Sequence, residues 1–322
     1  MGTLKETAVI ERPRVLCISD VRGWAFDQNM RDMETYLSDR FEFEHWYIAE
    51  WDRRRASAPR FDEFDTVFCL YHRWGIEPIL PWPKTVGTLR ARWLFPERPT
   101  PPAEREFQLV NQYRAYHVVT QANYDEFSEH CPRVVYLTNP VNMDRFPVAT
   151  SISERVVASW NGNALHAGRS IVKGFYGIVK PACEAAAVPL KYAEYNTCRL
   201  DASEMPEFYR QANLALCASM YEGASNSVME AMASGLAVVV TDVGNHREMH
   251  ESMLAEYGES GMLIVPRRKQ AFVAALEELK RDPARVVAMG KLNRAEIRRA
   301  WSWEAWSDRY AEFLMTPMKG RD

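Results

Sequence analysis

The sequence contains no Cys-x-x-Cys pair, no internal repeat and no low-complexity tract. Its six cysteines, Cys17, Cys69, Cys131, Cys183, Cys198 and Cys217, are scattered along the chain. Neither zinc-site nor disulfide-framework spacing is therefore present. Most sit in apolar runs (VLCIS, VFCLY, LALCAS), where a reduced cysteine serves as a small core residue, and a reducing, cytoplasmic compartment is expected. An excess of one charge is also missing. Lys+Arg 40 against Asp+Glu 43 gives a formal charge of -3, which excludes a protein built to coat nucleic acid or another polyanion. Any anionic ligand must be met locally. The N-terminal MGTLKETAVIERPR lacks the apolar stretch of a secretory signal, and no run approaches the roughly 18 apolar residues needed to span a bilayer.

What is present is material for two cores. The chain has 322 residues, 47% hydrophobic and 26% charged, which excludes disordered, collagen-like and coiled-coil classes. At roughly 150 residues per domain, that length predicts two domains. From Arg14 a grammar of short apolar strand, polar loop and amphipathic helix repeats. RVLCIS reads as the first strand, and DQNMRDMETYLSD as a helix with Met30, Met33 and Leu37 at helical spacing. FEFEHWYIAE, FDTVFCLYH, KTVGTLRARW, RAYHVVTQA and PRVVYLTNP read as further strands. The pattern restarts near Arg155: RVVASWNG, one helix over SIVKGFYGIVKPACEAAA, then LKYAEYN, MPEFYRQA, LALCAS, SVMEAMASG and LAVVVTD. Helices over AFVAALEELKRD and Trp303 to Leu314 close the chain. Unbroken Val/Ile/Leu/Cys strands alternating with helices predict α/β architecture with parallel sheets covered on both faces. Pro147 to Glu154 is the expected hinge. The expected domains are 1–149 and 150–302, with 303–322 returning to the first.

The most informative segment is Ser219 to Glu248, SMYEGASNSVMEAMASGLAVVVTDVGNHRE. It reads as a strand ending at Ser219, a Gly-containing loop, a helix starting near Asn226 with Ser225 or Asn226 as cap, a stop at Gly235, and another buried strand. Such a loop delivers the positive end of a helix to the carboxyl edge of a sheet, which suits phosphate. Glu222 lies in the loop and Glu230 in the helix, eight residues on. Carboxylates beside a phosphate site make sense as acceptors for neutral hydroxyls, which a nucleotide sugar supplies.

These residues resemble the Glu-x7-Glu signature of glycosyltransferase family 4, retaining enzymes of the GT-B fold. Ser219, Gly235, Thr241 to Gly244 and Glu248 agree with it, as do TNPVNMDRF (Asn139 to Phe146), the loop around Gly23, and GRSIVKG ending at Gly174. The resemblance implies two Rossmann-like domains facing across a cleft, with the acceptor on the first and the donor on the second. It implies that Glu230 holds ribose hydroxyls and Glu222 the donor sugar near its reacting carbon. Ser219 and Gly223 would also be among the donor-binding residues. Arg169 and Lys173 would neutralise the diphosphate, helped by Gly23 and by the N–H groups of Asn226, Ser227 and Val228. No metal and no cofactor are expected, and no Asp-x-Asp motif is present to bind one.

Two departures stand out. Arg169 and Lys173 are four apart, one fewer than the family's spacing, which leaves His166 or another donor to share the role. The family's histidine after the fourth strand is absent; Arg90 or Arg92 falls about there, and His72, ending the third strand, is the alternative. The implied activity is metal-independent, retaining transfer of a hexose from a nucleotide-diphosphate sugar to an acceptor hydroxyl of a glycan, lipid-linked sugar or small molecule. Polysaccharide, glycan or glycosylated-metabolite biosynthesis is the expected setting, with no nucleic-acid partner. The alternatives are a non-catalytic nucleotide-sugar-binding scaffold subunit and a GT-B sugar epimerase. The Trp74 to Pro102 segment is read first as core packing, then as a lid, acceptor platform or membrane contact. His117 and the basic runs Arg53 to Arg55 and Arg267 to Lys269 are read as structural and as solvated surface, respectively.

Overall fold

The computed structural model describes residues 11–54, 59–70, 76–89, 104–148, 154–164 and 169–319. The first half carries strands β1 (Arg14–Ser19), β2 (Glu42–Tyr47), β3 (Thr66–Cys69), β4 (Thr85–Leu89), β5 (Ala115–Val118) and β6 (Val134–Tyr136), with helices α1 (Ala25–Leu37), α2 (Ile48–Arg54), α3 (Glu104–Val110) and α4 (Gln121–Ser128). The strands form one sheet in the order β2-β1-β3-β4-β5-β6, every described pairing parallel. Val15, Leu16, Cys17 and Ile18 of central β1 are completely buried, because helices cover both faces of a parallel sheet. Edge strand β2 leaves Glu42 and Glu44 exposed.

The second half repeats the plan. Strands β7 (Ala158–Gly162), β8 (Leu190–Glu194), β9 (Leu214–Cys217), β10 (Ala237–Val240) and β11 (Met262–Ile264) pair in the parallel order β11-β10-β9-β7-β8. Around them lie α5 (Arg169–Lys173), α6 (Lys180–Ala186), α7 (Met205–Arg210), α8 (Asn226–Ala233), α9 (His246–Tyr257), α10 (Lys269–Arg281) and α11 (Pro283–Ala300). The chain leaves β7 toward β8 on one side and toward β9 on the other. That reversal opens a crevice at the carboxyl ends of β7 and β9.

The last helix, α12 (Trp303–Leu314), belongs to the first sheet. Trp303, Trp306, Tyr310, Phe313 and Leu314 pack with Met30, Met33 and Leu37 of α1. Each such buried side chain contributes roughly 1.5–3 kcal/mol. Thr66 Oγ1 donates to Leu314 O (2.8 Å) and Tyr310 OH to Thr138 O (2.7 Å). The two chain crossings between the halves are joined where Val141 N donates to Trp301 O (2.8 Å) and Trp303 N to Val141 O (3.1 Å). Further polar contacts span the halves. Glu248 of α9 accepts from Gln121 N (2.7 Å) and Tyr136 OH (2.9 Å), and Arg145 donates to Asp32 (3.1 Å) and Ala202 O (3.3 Å).

Two expectations need correction. The single helix over SIVKGFYGIVKPACEAAA is broken. Gly174 adopts φ +66, after which residues 175–179 form a wide π turn before α6. A Cβ at Gly174 would lie 2.5 Å from Ala218 O, and the break lets Met220 N reach Val172 O (2.8 Å). Pro181, lacking an N–H, cannot donate to the preceding turn and favours the wide geometry. The second correction is α11, unread in the sequence because its inward face includes Gly290 and Asn293. Gly290 is needed there, since a Cβ would meet Gly235 O at 2.0 Å, while Asn293 Nδ2 donates to Leu236 O and Gly261 O (2.8 Å each).

Candidate functional site

Loop 218–225 and the start of α8 lie at the crevice, and the turn after β10 straps them down. Thr241 Oγ1 donates to Ser219 O (2.6 Å), Asn245 N to Gly223 O (3.2 Å), and Ser225 N to Asn245 Oδ1 (3.1 Å). Gly244 makes this approach feasible. Its φ is +58, and a Cβ there would stand 2.1 Å from Gly223 O. His246 is buried, with Nδ1 2.7 Å from Thr241 O, and burial pushes its imidazole below the ordinary value. A neutral ring donates from Nδ1 to that carbonyl. Val228 turns its side chain into the core, so it offers the crevice only its backbone. The N–H groups of Asn226, Ser227 and Val228 open α8 without intrahelical acceptors and sit at the positive end of its dipole.

The two glutamates are poised differently. Glu222 Oε1 accepts from Lys173 Nζ (2.5 Å) and Ser219 Oγ (2.6 Å). Burial opposes its ionisation, but the Lys173 charge and these hydrogen bonds outweigh burial and hold the carboxyl below the usual range. Oε2 accepts no hydrogen bond from the described residues. Glu230 has no ion pair among the described residues. Its Oε2 stands 3.1 Å from Tyr209 OH, which also faces Asn161 Oδ1 and Ser227 O at 3.2 Å. One phenolic proton is thus shared among three acceptors. The separation exceeds the 2.6 Å at Glu222 and the 2.5 Å between Tyr47 OH and Asp27, and hydroxyl bonds to ionised carboxylates are short. Burial raises Glu230 to about 7, with Asp32 adding to the shift and Arg145 and Tyr209 partly offsetting it. Arg145 is itself paired with Asp32. The result is one ionised carboxylate and one protonatable at neutral pH, eight residues apart.

On the first domain's side, Gly23 (φ +80) lies in the loop after β1. Its N–H donates to Asp27 (2.7 Å), which also accepts from Tyr47 and from Arg31 (3.2 Å). Burial works against Asp27's ionisation, and these bonds overcome it. The Gly23 N–H is thus directed at the protein's own carboxylate. Next to it, Trp24 meets Tyr195, at the end of β8, edge-on at 5.8 Å across the crevice. Asn139 Nδ2 donates to Asn226 Oδ1 (3.2 Å).

The structure therefore brings together Lys173, Ser219, Glu222, Gly223, Asn226, Ser227, Val228 and Glu230. His72, Arg90, Arg92 and His166 lie outside the described residues, as do the side chains of Arg169 and Arg53 to Arg55. His117 is buried among Phe68, Tyr310 and Phe313. In the Trp74 to Pro102 segment, described Trp82 packs edge-on against Tyr113 in the core. Arg267 corrects the solvated-surface reading, since it is half-buried and binds three carbonyls. Sequence reading also missed Tyr209, Asn161 and Arg145 as site residues, although MPEFYRQA and TNPVNMDRF had drawn attention to their segments. Among the described residues no cluster of His, Cys, Asp or Glu could hold a metal ion, and no helix is long and apolar enough to cross a membrane.

This architecture is the GT-B fold, and comparison with known proteins agrees. Residues 181–282, which include β9, α8 and both glutamates, match the family described as Glycosyl transferases group 1. No curated protein matches the sequence. Among solved structures, the chain is similar to sucrose-phosphate synthase from Thermosynechococcus elongatus (TM-score 0.72, 15% identity, covering 95% of this chain and 99% of that one). It is also similar to HepE of Anabaena, solved with UDP and glucose (0.67, 12%, 94% and 99%). A third is a glycosyltransferase from Rickettsia africae (0.69, 10%, 96% and 99%).

Proposed function

We propose that the chain is a retaining glycosyltransferase that moves a hexose from a nucleotide-diphosphate sugar to an acceptor hydroxyl without a metal ion. The observation that carries this reading is the pair of differently poised carboxylates, Glu222 and Glu230, set beside Lys173 and the start of α8 at the crevice. Glu230 and Asn161 present hydrogen-bonding groups for the two ribose hydroxyls. Glu222, its Oε1 held by Lys173 and Ser219, offers Oε2 to a sugar hydroxyl and a negative charge to the oxocarbenium-like carbon. Lys173 and the α8 N–H groups stabilise the negative charge that builds on the leaving diphosphate.

The bond from the anomeric carbon to the phosphate oxygen breaks as the acceptor oxygen bonds to that carbon from the same face. The leaving phosphate oxygen takes the acceptor's proton, so no side chain need serve as base. The acceptor, a glycan, lipid-linked sugar or small molecule, would enter from the first domain past Gly23 and Trp24. The setting we favour is polysaccharide, glycan or glycosylated-metabolite synthesis in the cytoplasm. HepE's bound UDP and glucose place UDP-glucose first in the test panel. Incubation with a panel of nucleotide sugars and chelator should release nucleoside diphosphate from at least one. Tight nucleotide binding with no turnover of any donor would instead identify a scaffold subunit.

A further inference from the structure

We infer that Arg267 is a positioning residue that sets the Lys173–Glu222 pair by fastening together the two chain segments that carry it. The inference rests on the reading of that pair as part of the donor site.

Arg267 follows β11, which Val265 N ties to Val240 O (2.8 Å). Its Nε donates to Ala218 O (2.9 Å), and its Nη2 donates to Ile171 O and approaches Val172 O (3.5 Å). Ala218 immediately precedes Ser219, and Ile171 and Val172 immediately precede Lys173. One guanidinium therefore grips both segments within a few residues of each half of the pair. The Ala218 oxygen it holds is the one over which Gly174 passes, and Met220 N closes the joint on Val172 O. Among the described residues no other side chain bonds to these three carbonyls.

The chemistry favours arginine. A planar fork reaches carbonyls on two segments at once, whereas a lysine ammonium is a single point on a flexible stem. The carbonyls of Ile171 and Val172 close the short α5, where helix carbonyls lack intrahelical donors and a cation is favourable. Burial pushes the guanidinium below its ordinary value, so the grip is made partly out of water. If the joint loosens, Lys173 and Glu222 lose their fixed separation. Glu230 and Tyr209 are held by α7, α8 and β7, which Arg267 does not touch.

The test uses the full chain with Arg267→Met and Arg267→Lys, each checked for folding by circular dichroism. Amine acylation at Lys173, read by mass spectrometry against exposed Lys291, should rise at least about threefold in both substituted proteins as the joint opens locally. With the donor the wild type uses, kcat should fall about tenfold or more, while nucleoside diphosphate affinity should fall by a smaller factor, since Lys173 loosens but Glu230 and the α8 N–H groups keep their places. In a third variant, Arg267→Ala, checked for folding in the same way, methylguanidinium should restore part of the turnover. Unchanged Lys173 labelling in a folded Arg267→Met protein overturns the inference, as does a loss of affinity equal to the loss of kcat. The labelling arm needs no substrate. A rise in labelling with no wild-type turnover of any nucleotide sugar would refute the proposed function while leaving the positional role in place.

Discussion

If Glu230 must be ionised to accept ribose hydroxyls, nucleotide binding weakens as the pH falls through neutrality. Burial, with no ion pair to Glu230 among the described residues, pushes its carboxyl up to about 7, and Tyr209 offers one proton to three acceptors. The ionised fraction is then roughly one tenth at pH 6 and nine tenths at pH 8, so affinity should fall about tenfold between them, or ~1.4 kcal/mol. The ligand's terminal phosphate has its own ionisation near pH 6, so the meaningful quantity is the difference from Glu230→Gln, which lacks a titrating carboxyl. Calorimetric titration of UDP at pH 6, 7 and 8 gives the slope. Repeating pH 7 in buffers of different ionisation enthalpy counts the protons released on binding. Wild type should release about one half proton per site more than Glu230→Gln does. Identical profiles and proton counts for the two proteins would refute the assignment of a stored proton to Glu230.

Two further outcomes follow from the site's construction. Lys173→Met leaves Glu222 charged without its partner and should destabilise the protein by on the order of 3 kcal/mol at neutral pH. Because Glu222 is held below the usual range in the folded state, the pair's contribution is complete above roughly pH 4.5 and is lost as the pH falls through the folded value. The gap between wild type and Lys173→Met in urea titrations should therefore close in acid; a gap that persists there would contradict the pairing. Gly244→Ala forces a Cβ to within 2.1 Å of Gly223 O at φ +58. It should cost at least about 2 kcal/mol and lower donor turnover; a thermally unchanged, fully active Gly244→Ala protein would show that the strap does not hold the Glu222 loop.

The sheets were legible because a parallel strand buried on both faces must be an unbroken apolar run, as in RVLCIS and LAVVVTD. The Glu222 to Gly244 segment was legible for a related reason: its glycines mark where backbone must approach backbone, although Ser225 at the start of α8 makes no side-chain cap bond. Other features depend on partners distant in sequence. Gly174 breaks its helix because Ala218 O passes beneath it, and α11 hides because its inward face meets backbone through Gly290 and Asn293. Arg267 sits in a basic run that resembles any solvated turn, and only the folded chain shows its carbonyl partners. Tyr209 carried no signal beyond its aromatic ring, since its importance lies in facing Glu230 and Asn161 together. His72, Arg90 and Arg92, the first-half residues that the sequence offered as candidates, lie outside the described residues.

In the proposed reaction Glu222 serves the reacting sugar of a nucleotide donor, and the product keeps the donor's anomeric configuration. The most direct test compares wild type with Glu222→Gln on the best donor of the panel, in chelator, with the product's anomeric configuration read by proton NMR. Wild type should give a product with the donor's configuration, and turnover should fall at least about a hundredfold in Glu222→Gln. An inverted product, or full turnover by Glu222→Gln, would contradict this reaction.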